Sequence, residues 1–136
     1  MKATELQIGD LIKIKGHLDY DKVQEIARDE NMQWYISFAC SAVLFRAYEF
    51  EPIPLTPEIL EKNGFGFVKS SDRDSVWNGW WINRGLELAT ACLNKEGNWP
   101  CYINIYDSNI KCEYVHQLQH ALRLCGLDEL ADNFKV

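Results

Sequence analysis

Short apolar runs separated by polar turns fill the first fifty residues of the chain. Apolar and polar positions alternate from Ile12 to Lys15 and stop at Gly16, which predicts a strand followed by a sharp turn. Further short strands are predicted at residues 23–27, 32–38 and 48–50. Four or five such strands joined by tight turns predict an SH3-like β subdomain at residues 1–52, by analogy with small barrels of short strands.

The segment after these strands carries the clearest helix signal in the chain. Pro52 and Pro54 keep its entry extended, because proline lacks a backbone donor and disfavours the helical region for the residue before it. Thr56 is a suitable N-cap, and Pro57 fits the first helical position. Gly64 then ends a helix of about two turns, since glycine readily adopts the left-handed conformation that closes helices.

Residues 65–113 have the pattern of an antiparallel meander of short strands. Its strands are predicted at residues 65–68, 76–82, 86–93, 102–106 and 110–113. One alternative stays open, because Asn78 and Gly79 form a dipeptide typical of two-residue hairpins. In that case the run at 76–82 would be divided into two strands.

An amphipathic helix is predicted at residues 114–125, with Gly126 as its end. Its apolar side chains fall within an arc of about 120° and are Tyr114, Val115, Leu118, Ala121, Leu122 and Cys125. The opposite side, which we expect to face solvent, carries His116, Gln119, His120 and Arg123. A further short helical turn is predicted within residues 127–134.

These elements together predict an α+β fold. Residues 1–52 would form the SH3-like part, and residues 53–136 would hold the linker helix, the meander and a C-terminal helix packed on it. The alternative is one domain with a shared core, which a chain of 136 residues also allows.

Charge argues against a nucleic-acid partner. Residues 1–52 carry six Lys and Arg against nine Asp and Glu, and residues 53–136 carry eight against eleven. Each part therefore contributes −3 to the net charge of −6. Binding to nucleic acids depends on clustered basic side chains that neutralise phosphates, and the chain has one local basic pair, Lys13 and Lys15.

The cysteine pattern and the hydropathy of the chain predict a cytoplasmic protein with reduced thiols. The five cysteines are odd in number, contain no C-x-x-C pair, and are Cys40, Cys92, Cys101, Cys112 and Cys125. No apolar run approaches the roughly 20 residues of a membrane-spanning helix, and the start of the chain has no apolar signal-peptide segment. We therefore expect no membrane partner.

Three stretches carry a resemblance to a known group of proteins. They are FEPIPLTPEIL at residues 50–60, which runs into Gly64 and Phe65, YVHQLQ at residues 114–119, and LQIGDL at residues 6–11. In this order they resemble a family of small uncharacterised bacterial proteins found chiefly in prophages and mobile elements. The resemblance implies a phage or mobile-element setting and, since the family has no established activity, no mechanism.

Two candidate reaction centres are weak on sequence grounds. His116 and His120 have a spacing that could ligate zinc from one helix face, but Arg123 lies beside them on that face and would repel a cation. His120 also stands where proteins of the resembling family usually carry asparagine. Cys112 precedes His116 by four residues, but no acid orients the pair, and free cysteines are more often small buried apolar residues.

Acidic residues near the turns of the meander are a third candidate for metal binding or acid–base chemistry. They are Asp72, Asp74, Glu87, Glu96 and Asp107. Acids in turns are more often solvated, and Gly64-Phe65-Gly66 lacks the lysine and hydroxyl of a phosphate loop. The sequence therefore predicts no catalytic residue, no cofactor and no metal.

Tryptophans give the most informative candidate surface. Four of the five lie in the meander and are Trp77, Trp80, Trp81 and Trp99. Successive strand residues point to opposite faces, so that one member of the adjacent pair Trp80 and Trp81 is a candidate for exposure. Exposed tryptophan rings are favoured anchors at protein interfaces.

The leading hypothesis is therefore a non-enzymatic accessory protein of a phage or mobile element that binds another protein through this surface, with homodimerisation as a variant. The alternative is a nucleic-acid-binding SH3-like module that uses Lys13, Lys15 and Trp34. A small hydrolase or metal-dependent enzyme built around His116 is the least favoured hypothesis. The alternative for the four tryptophans is a purely structural role, in which they fill the core between sheet and helix.

Overall fold

A computed structural model shows an α+β chain, as the sequence predicts. The structure describes residues 1–38, 41–46, 49–69, 78–83, 88–92, 101–105 and 108–136. The chain divides into two compact units, Met1–Ile53 and Pro54–Val136. Each unit contains one five-stranded antiparallel sheet.

The first unit begins with a 3₁₀ turn at Ala3–Glu5 and continues as a set of short strands. The strands are β1 (Leu11–Ile14), β2 (Tyr20–Arg28), β3 (Trp34–Phe38), β4 (Ser41–Arg46) and β5 (Phe50–Glu51). Their order in the sheet is β4-β3-β2-β1-β5. The long strand β2 pairs with both β1 and β3, and its register with β3 shifts between Val23 and Glu25. Such a bulge bends a strand and increases its twist.

The core of the first unit is formed by one face of this sheet together with the 3₁₀ turn. Its buried members are Ala3, Leu6, Ile12, Val23, Ile36, Phe38 and Phe50. Phe38 packs its ring against Phe45 and Phe50, with centroids 5.4 and 5.6 Å away. Aromatic pairs at such distances add to the stabilisation that burial provides.

Several details of the first unit differ from the sequence-based expectation, among them the start of β2 at Tyr20 and the position of β5. Strand β4 was not predicted, because no glycine, proline or asparagine separates its residues from the run that ends at Phe38. The predicted strand at 32–38 begins only at Trp34, since Met32 has a φ of 61° and lies in a turn. Asp29 holds that turn by accepting hydrogen bonds from the backbone N–H groups of Asn31 and Gln33 at 2.9 and 2.7 Å.

The second unit is a meander with three short helices. The helices are α1 (Pro57–Lys62), α2 (Val115–Leu124) and α3 (Asp128–Asp132), and the strands are β6 (Gly66–Lys69), β7 (Asn78–Asn83), β8 (Leu88–Cys92), β9 (Cys101–Ile105) and β10 (Ser108–Cys112). The sheet order β10-β9-β8-β7-β6 follows the chain. Asn78 and Gly79 lie inside β7, paired with Lys69 and Val68, so the hairpin alternative is wrong.

Helix α1 starts and ends where the sequence predicts. Thr56 Oγ1 accepts a hydrogen bond from the backbone N–H of Ile59 at 3.4 Å, and Gly64 has a φ of 82°. The buried amide of Asn63 also joins this helix end to the C-terminal segment. Its Nδ2 donates to the carbonyls of Ile59 and Lys135, both at 2.7 Å, and its Oδ1 accepts from the N–H of Lys135 at 2.8 Å.

Helix α2 is amphipathic, but the prediction that His116 and Gln119 face solvent is wrong. His116 is 3% exposed and Gln119 is fully buried. Gln119 is covered because α3 packs against α2 there, whereas the ring of His116 contacts those of Tyr114 and His120. Gln119 Nε2 donates to the carbonyl of Ala131 at 2.8 Å, and Arg123 forms an ion pair with Asp132 at 3.1 Å. Within the described part of the chain, no helix has the length and apolar content needed to span a bilayer.

Candidate functional site

Strands β6 and β7 place an exposed aromatic ring beside a buried tryptophan. Trp80 on β7 pairs with Phe67 on β6, and their ring centroids are 5.3 Å apart at an interplanar angle of 60°. Trp80 is 6% exposed, whereas Phe67 is 47% exposed. Trp80 therefore presents little surface of its own to a partner, but it supports the half-exposed ring of Phe67 from one side.

The register extends this pair into a row across the whole sheet. Trp80 pairs with Ala91, Ala91 with Ile103, and Ile103 with Ile110. Residues paired directly across antiparallel strands share one face, so the row is apolar from edge to edge. Phe67 and Ile110 at its two ends are the exposed members among those whose burial is described. This face is thus open at both edges of the sheet.

The other tryptophans of the predicted surface are Trp77, Trp81 and Trp99. Trp77 and Trp99 lie outside the described residues. Trp81 follows Trp80 in β7, and its backbone pairs with Gly66 and Thr90. Phe67, which the sequence-based surface did not include, is the aromatic residue that the structure places at the sheet edge. Its signal in the sequence is its place in a short strand directly after the Gly64 helix end.

Cys112 and His116, considered as a thiol–imidazole pair on sequence grounds, are both buried. Cys112 is fully buried, and burial raises the pKa of its thiol to about 12. Because the thiolate is the nucleophilic form, Cys112 is unsuited to attack a substrate. His116 stacks on Tyr114 with centroids 5.9 Å apart, and its ring meets His120 edge-on at 5.9 Å.

The same region holds no recognisable metal centre in its described portion. Among the described residues, no three His, Cys, Asp or Glu side chains are grouped in a way that could hold a metal ion. The five turn acids considered on sequence grounds lie outside those residues and are Asp72, Asp74, Glu87, Glu96 and Asp107.

The residues considered for a nucleic-acid surface are Lys13 on β1, Lys15 just after β1, and Trp34 on β3. Lys13 pairs with Tyr20 and Glu51, between the core-facing neighbours Ile12 and Ile14. Strand alternation therefore places Lys13 on the face away from the core. Trp34 packs against the core cluster, with the guanidinium carbon of Arg28 4.0 Å from the centroid of its ring.

Lys15 instead lies on the rim of a cleft in the first unit. The cleft has a volume of about 410 Å³ and is lined by Ile14, Lys15, His17, Phe45 and Glu49. Its two sides are joined by a hydrogen bond of 2.7 Å from the N–H of Lys15 to the carbonyl of Glu49. The sequence did not predict this cleft, because one of its walls is the unpredicted strand β4.

A second cleft, of about 400 Å³, lies in the second unit. It is lined by Lys62, Asn63, Gly64, Glu129, Leu130, Asn133 and Lys135. The amide of Asn63 is engaged with backbone groups at both its ends. Asn133 Nδ2 likewise donates to the carbonyl of Glu129 at 2.9 Å. The amides on its wall are thus committed to holding the helices together.

Comparisons with protein-family models, with curated proteins and with solved structures find no match to this chain. The resemblance of residues 50–60 and 114–119 to small bacterial proteins therefore stays a prediction. Among the described residues, apolar area is accessible at the Phe67 edge of the second sheet and in the Lys15 cleft of the first unit.

Proposed function

We propose that this protein is a non-enzymatic accessory protein of a phage or mobile element that acts in the cytoplasm by binding another protein. The observation that carries the proposal is the half-exposed ring of Phe67, held beside buried Trp80 at the edge of a sheet. A rigid aromatic ring that keeps apolar area in water is typical of interface anchors. The odd number of widely spaced cysteines supports the cytoplasmic setting.

The backbone beside Phe67 supports the same proposal. Among the described strands, β6 pairs with β7 alone and is the last strand of its sheet. An edge strand presents unpaired N–H and C=O groups, and an extended segment of another protein can add to such an edge. We propose that a partner combines backbone pairing along β6 with apolar contact on Phe67.

Trp81 extends the proposed surface to the other face of the sheet. Alternation along β7 predicts that Trp81 points away from the face of Trp80. On that face Lys111 is exposed and forms an ion pair of 2.8 Å with Glu113. We propose that Trp81, together with Trp77 and Trp99, contributes to partner binding, and that a second copy of the chain is an alternative partner.

We further propose that the first unit is an SH3-like subdomain. Two features support this assignment: the strand order β4-β3-β2-β1-β5, and the sharing of the long, bulged strand β2 between β1 and β3. On this proposal residues 1–52 form the subdomain, and residues 53–136 form the helix, meander and C-terminal helix.

The proposed function is tested by cross-linked capture from a host lysate with paired variants. Phe67→Ser removes the exposed ring, whereas Leu124→Ser removes a side chain that is 76% exposed on α2 of the same unit. We expect a specific partner to be lost with Phe67→Ser and kept with Leu124→Ser. Both variants should retain wild-type circular dichroism, since each change lies at the surface.

Retention of every captured protein by folded Phe67→Ser would contradict the proposal. Sedimentation of the purified protein separates the two kinds of partner. A dimer that Phe67→Ser dissociates would identify a second copy as the occupant of this edge.

A further inference from the structure

The open cleft of the first unit has an apolar floor held in place by the core. Ile14 and Phe45 form this floor and pack against the buried core cluster. The ring of Phe45 lies 5.4 Å from that of Phe38 and 6.2 Å from that of Phe50, so its position is fixed on two sides. The volume of about 410 Å³ is within the range of ligand sites and exceeds what one leucine side chain needs.

The rim of this cleft carries side chains that the protein itself leaves uncommitted. Lys15 and His17 are both exposed, and neither has an ion-pair partner among the described residues. The rim's acidic residue is Glu49, whose Oε2 accepts a hydrogen bond of 2.6 Å from the backbone N–H of Arg46. One carboxylate oxygen is therefore occupied within its own turn, and the donors of Lys15 and His17 remain available.

The loop that holds these donors is fixed by backbone hydrogen bonds. The N–H of Lys15 donates to Glu49, and the N–H of His17 donates to the carbonyl of Ile14 at 3.0 Å. Gly16 between them has a φ of 80°, a conformation that other residues adopt at a cost. A rim ordered in advance loses little conformational entropy when a ligand binds.

We propose that this cleft binds an extended segment of another protein in which an apolar side chain lies next to a carboxylate. The apolar side chain enters between Ile14 and Phe45, and the carboxylate accepts charge-assisted hydrogen bonds from Lys15 and His17. The chain's net charge of −6 opposes an acidic partner at long range. At physiological ionic strength, however, charges act over about 8 Å, so the local donors decide binding.

The proposal is tested by ¹⁵N–¹H NMR titration of the full chain with two capped dipeptides, acetyl-Leu-Glu-amide and acetyl-Leu-Lys-amide. We expect the glutamate peptide, at millimolar concentration, to shift the amides of residues 14–17 and 45–49. The lysine peptide should shift them much less. Equal effects of both peptides, shifts elsewhere only, or no shifts at all would overturn the proposal.

A matched pair of charge reversals separates local contact from overall charge. Lys15→Glu should weaken binding of the glutamate peptide roughly tenfold or more, the scale of one lost charge-assisted hydrogen bond. Lys13→Glu makes the same change of net charge at a neighbouring lysine that does not line the cleft, so it should weaken binding several-fold less than Lys15→Glu, because it removes no hydrogen bond to the peptide. Equal weakening by both variants would show that only net charge matters and would refute the cleft.

The cleft belongs to the first unit and the Phe67 edge to the second, and they share no residue, so the two proposals can fail independently. Phe67→Ser is expected to leave dipeptide binding unchanged. Lys15→Glu is expected to leave a partner held at the β6 edge in place.

Discussion

Each of the two units is built on a five-stranded antiparallel sheet, but the two units are stabilised by different kinds of polar contact. In the first unit, Asp29 accepts hydrogen bonds from residues two to six positions away, Asn31, Gln33 and the hydroxyl of Tyr35. In the second unit, the amide of Asn63 bonds Lys135, 72 positions away. The first unit thus fixes its turns locally, whereas the second depends on contacts that exist only after the chain has folded.

This difference also explains where accessible donors remain. In the second unit, the side chains of Asn63 and Gln119 are buried and bonded to backbone carbonyls, which joins the helices to each other and to the C-terminal segment. In the first unit, the side chains of Lys15 and His17 stay exposed beside an apolar floor. Polar groups that the fold does not use are the ones that can recognise a partner.

The burial of Cys112 predicts the largest effect, in the reactivity of its thiol. Cys112 should react with iodoacetamide at pH 8 far more slowly than half-buried Cys125. If opening of the fold costs about 4 kcal/mol, the reaction is slowed about a thousandfold. The raised pKa of the Cys112 thiol also disfavours direct reaction in the folded state, so that opening is the faster route. Mass spectrometry of tryptic peptides measures both sites in one sample, and similar rates would show that the Cys112 thiol is accessible in the folded protein.

The next largest effect is expected on stability, when the Asn63 side chain that bonds Lys135 is removed. Asn63→Ala leaves the carbonyl and N–H of Lys135 without their partner, and should lower the free energy of unfolding by about 2–3 kcal/mol. Asn133→Ala is the matched control, because its exposed amide makes one hydrogen bond, to Glu129. Its cost should be below about 1 kcal/mol. Urea unfolding measures the free energy of unfolding of both variants. Equal losses would contradict a larger contribution from the hydrogen bonds between Asn63 and Lys135.

The smallest effect is the pH dependence of the Asp29 turn. Hydrogen bonds from the backbone of Gln33, from the Tyr35 hydroxyl and from Asn31 lower the pKa of Asp29. A lowered pKa adds stability above the ordinary value of about 3.9, and this stability is lost as pH falls through the folded value. Asp29→Asn should therefore be less stable than wild type at pH 7, and the difference should close in strong acid. A difference that stays constant with pH would refute the ionic contribution.

The sequence predicted the parts of this fold that are set by neighbouring residues. The ends of α1 follow from Thr56 and Gly64, because caps act within one turn of helix. Strand β4 was missed because no glycine, proline or asparagine marks its start. The burial of Gln119 depends on α3 folding back onto α2. A periodicity within one helix contains no information about such a contact.

The candidate sites also differ in whether neighbouring residues alone single them out or only the fold brings their residues together. The tryptophan-rich segment was visible in the sequence, and the strand alternation of Trp80 and Trp81 could be predicted from it. Phe67 could not be singled out, because its importance comes from pairing with Trp80 across two strands. The Lys15 cleft was also hidden, since Phe45 reaches it from a strand thirty residues away in sequence.

The proposed interaction surface requires that a tryptophan of the meander be accessible, and Trp81 is the residue on which this can be measured most directly. Acrylamide quenching of intrinsic fluorescence should reveal an exposed tryptophan fraction in the wild type. Trp81→Phe should remove much of that fraction, whereas Trp80→Phe should leave it in place because Trp80 is buried. Because half-buried Trp34 of the first unit can also be quenched, the comparison is made in a Trp34→Phe background, where an exposed fraction supports the account and the absence of quenching would contradict it.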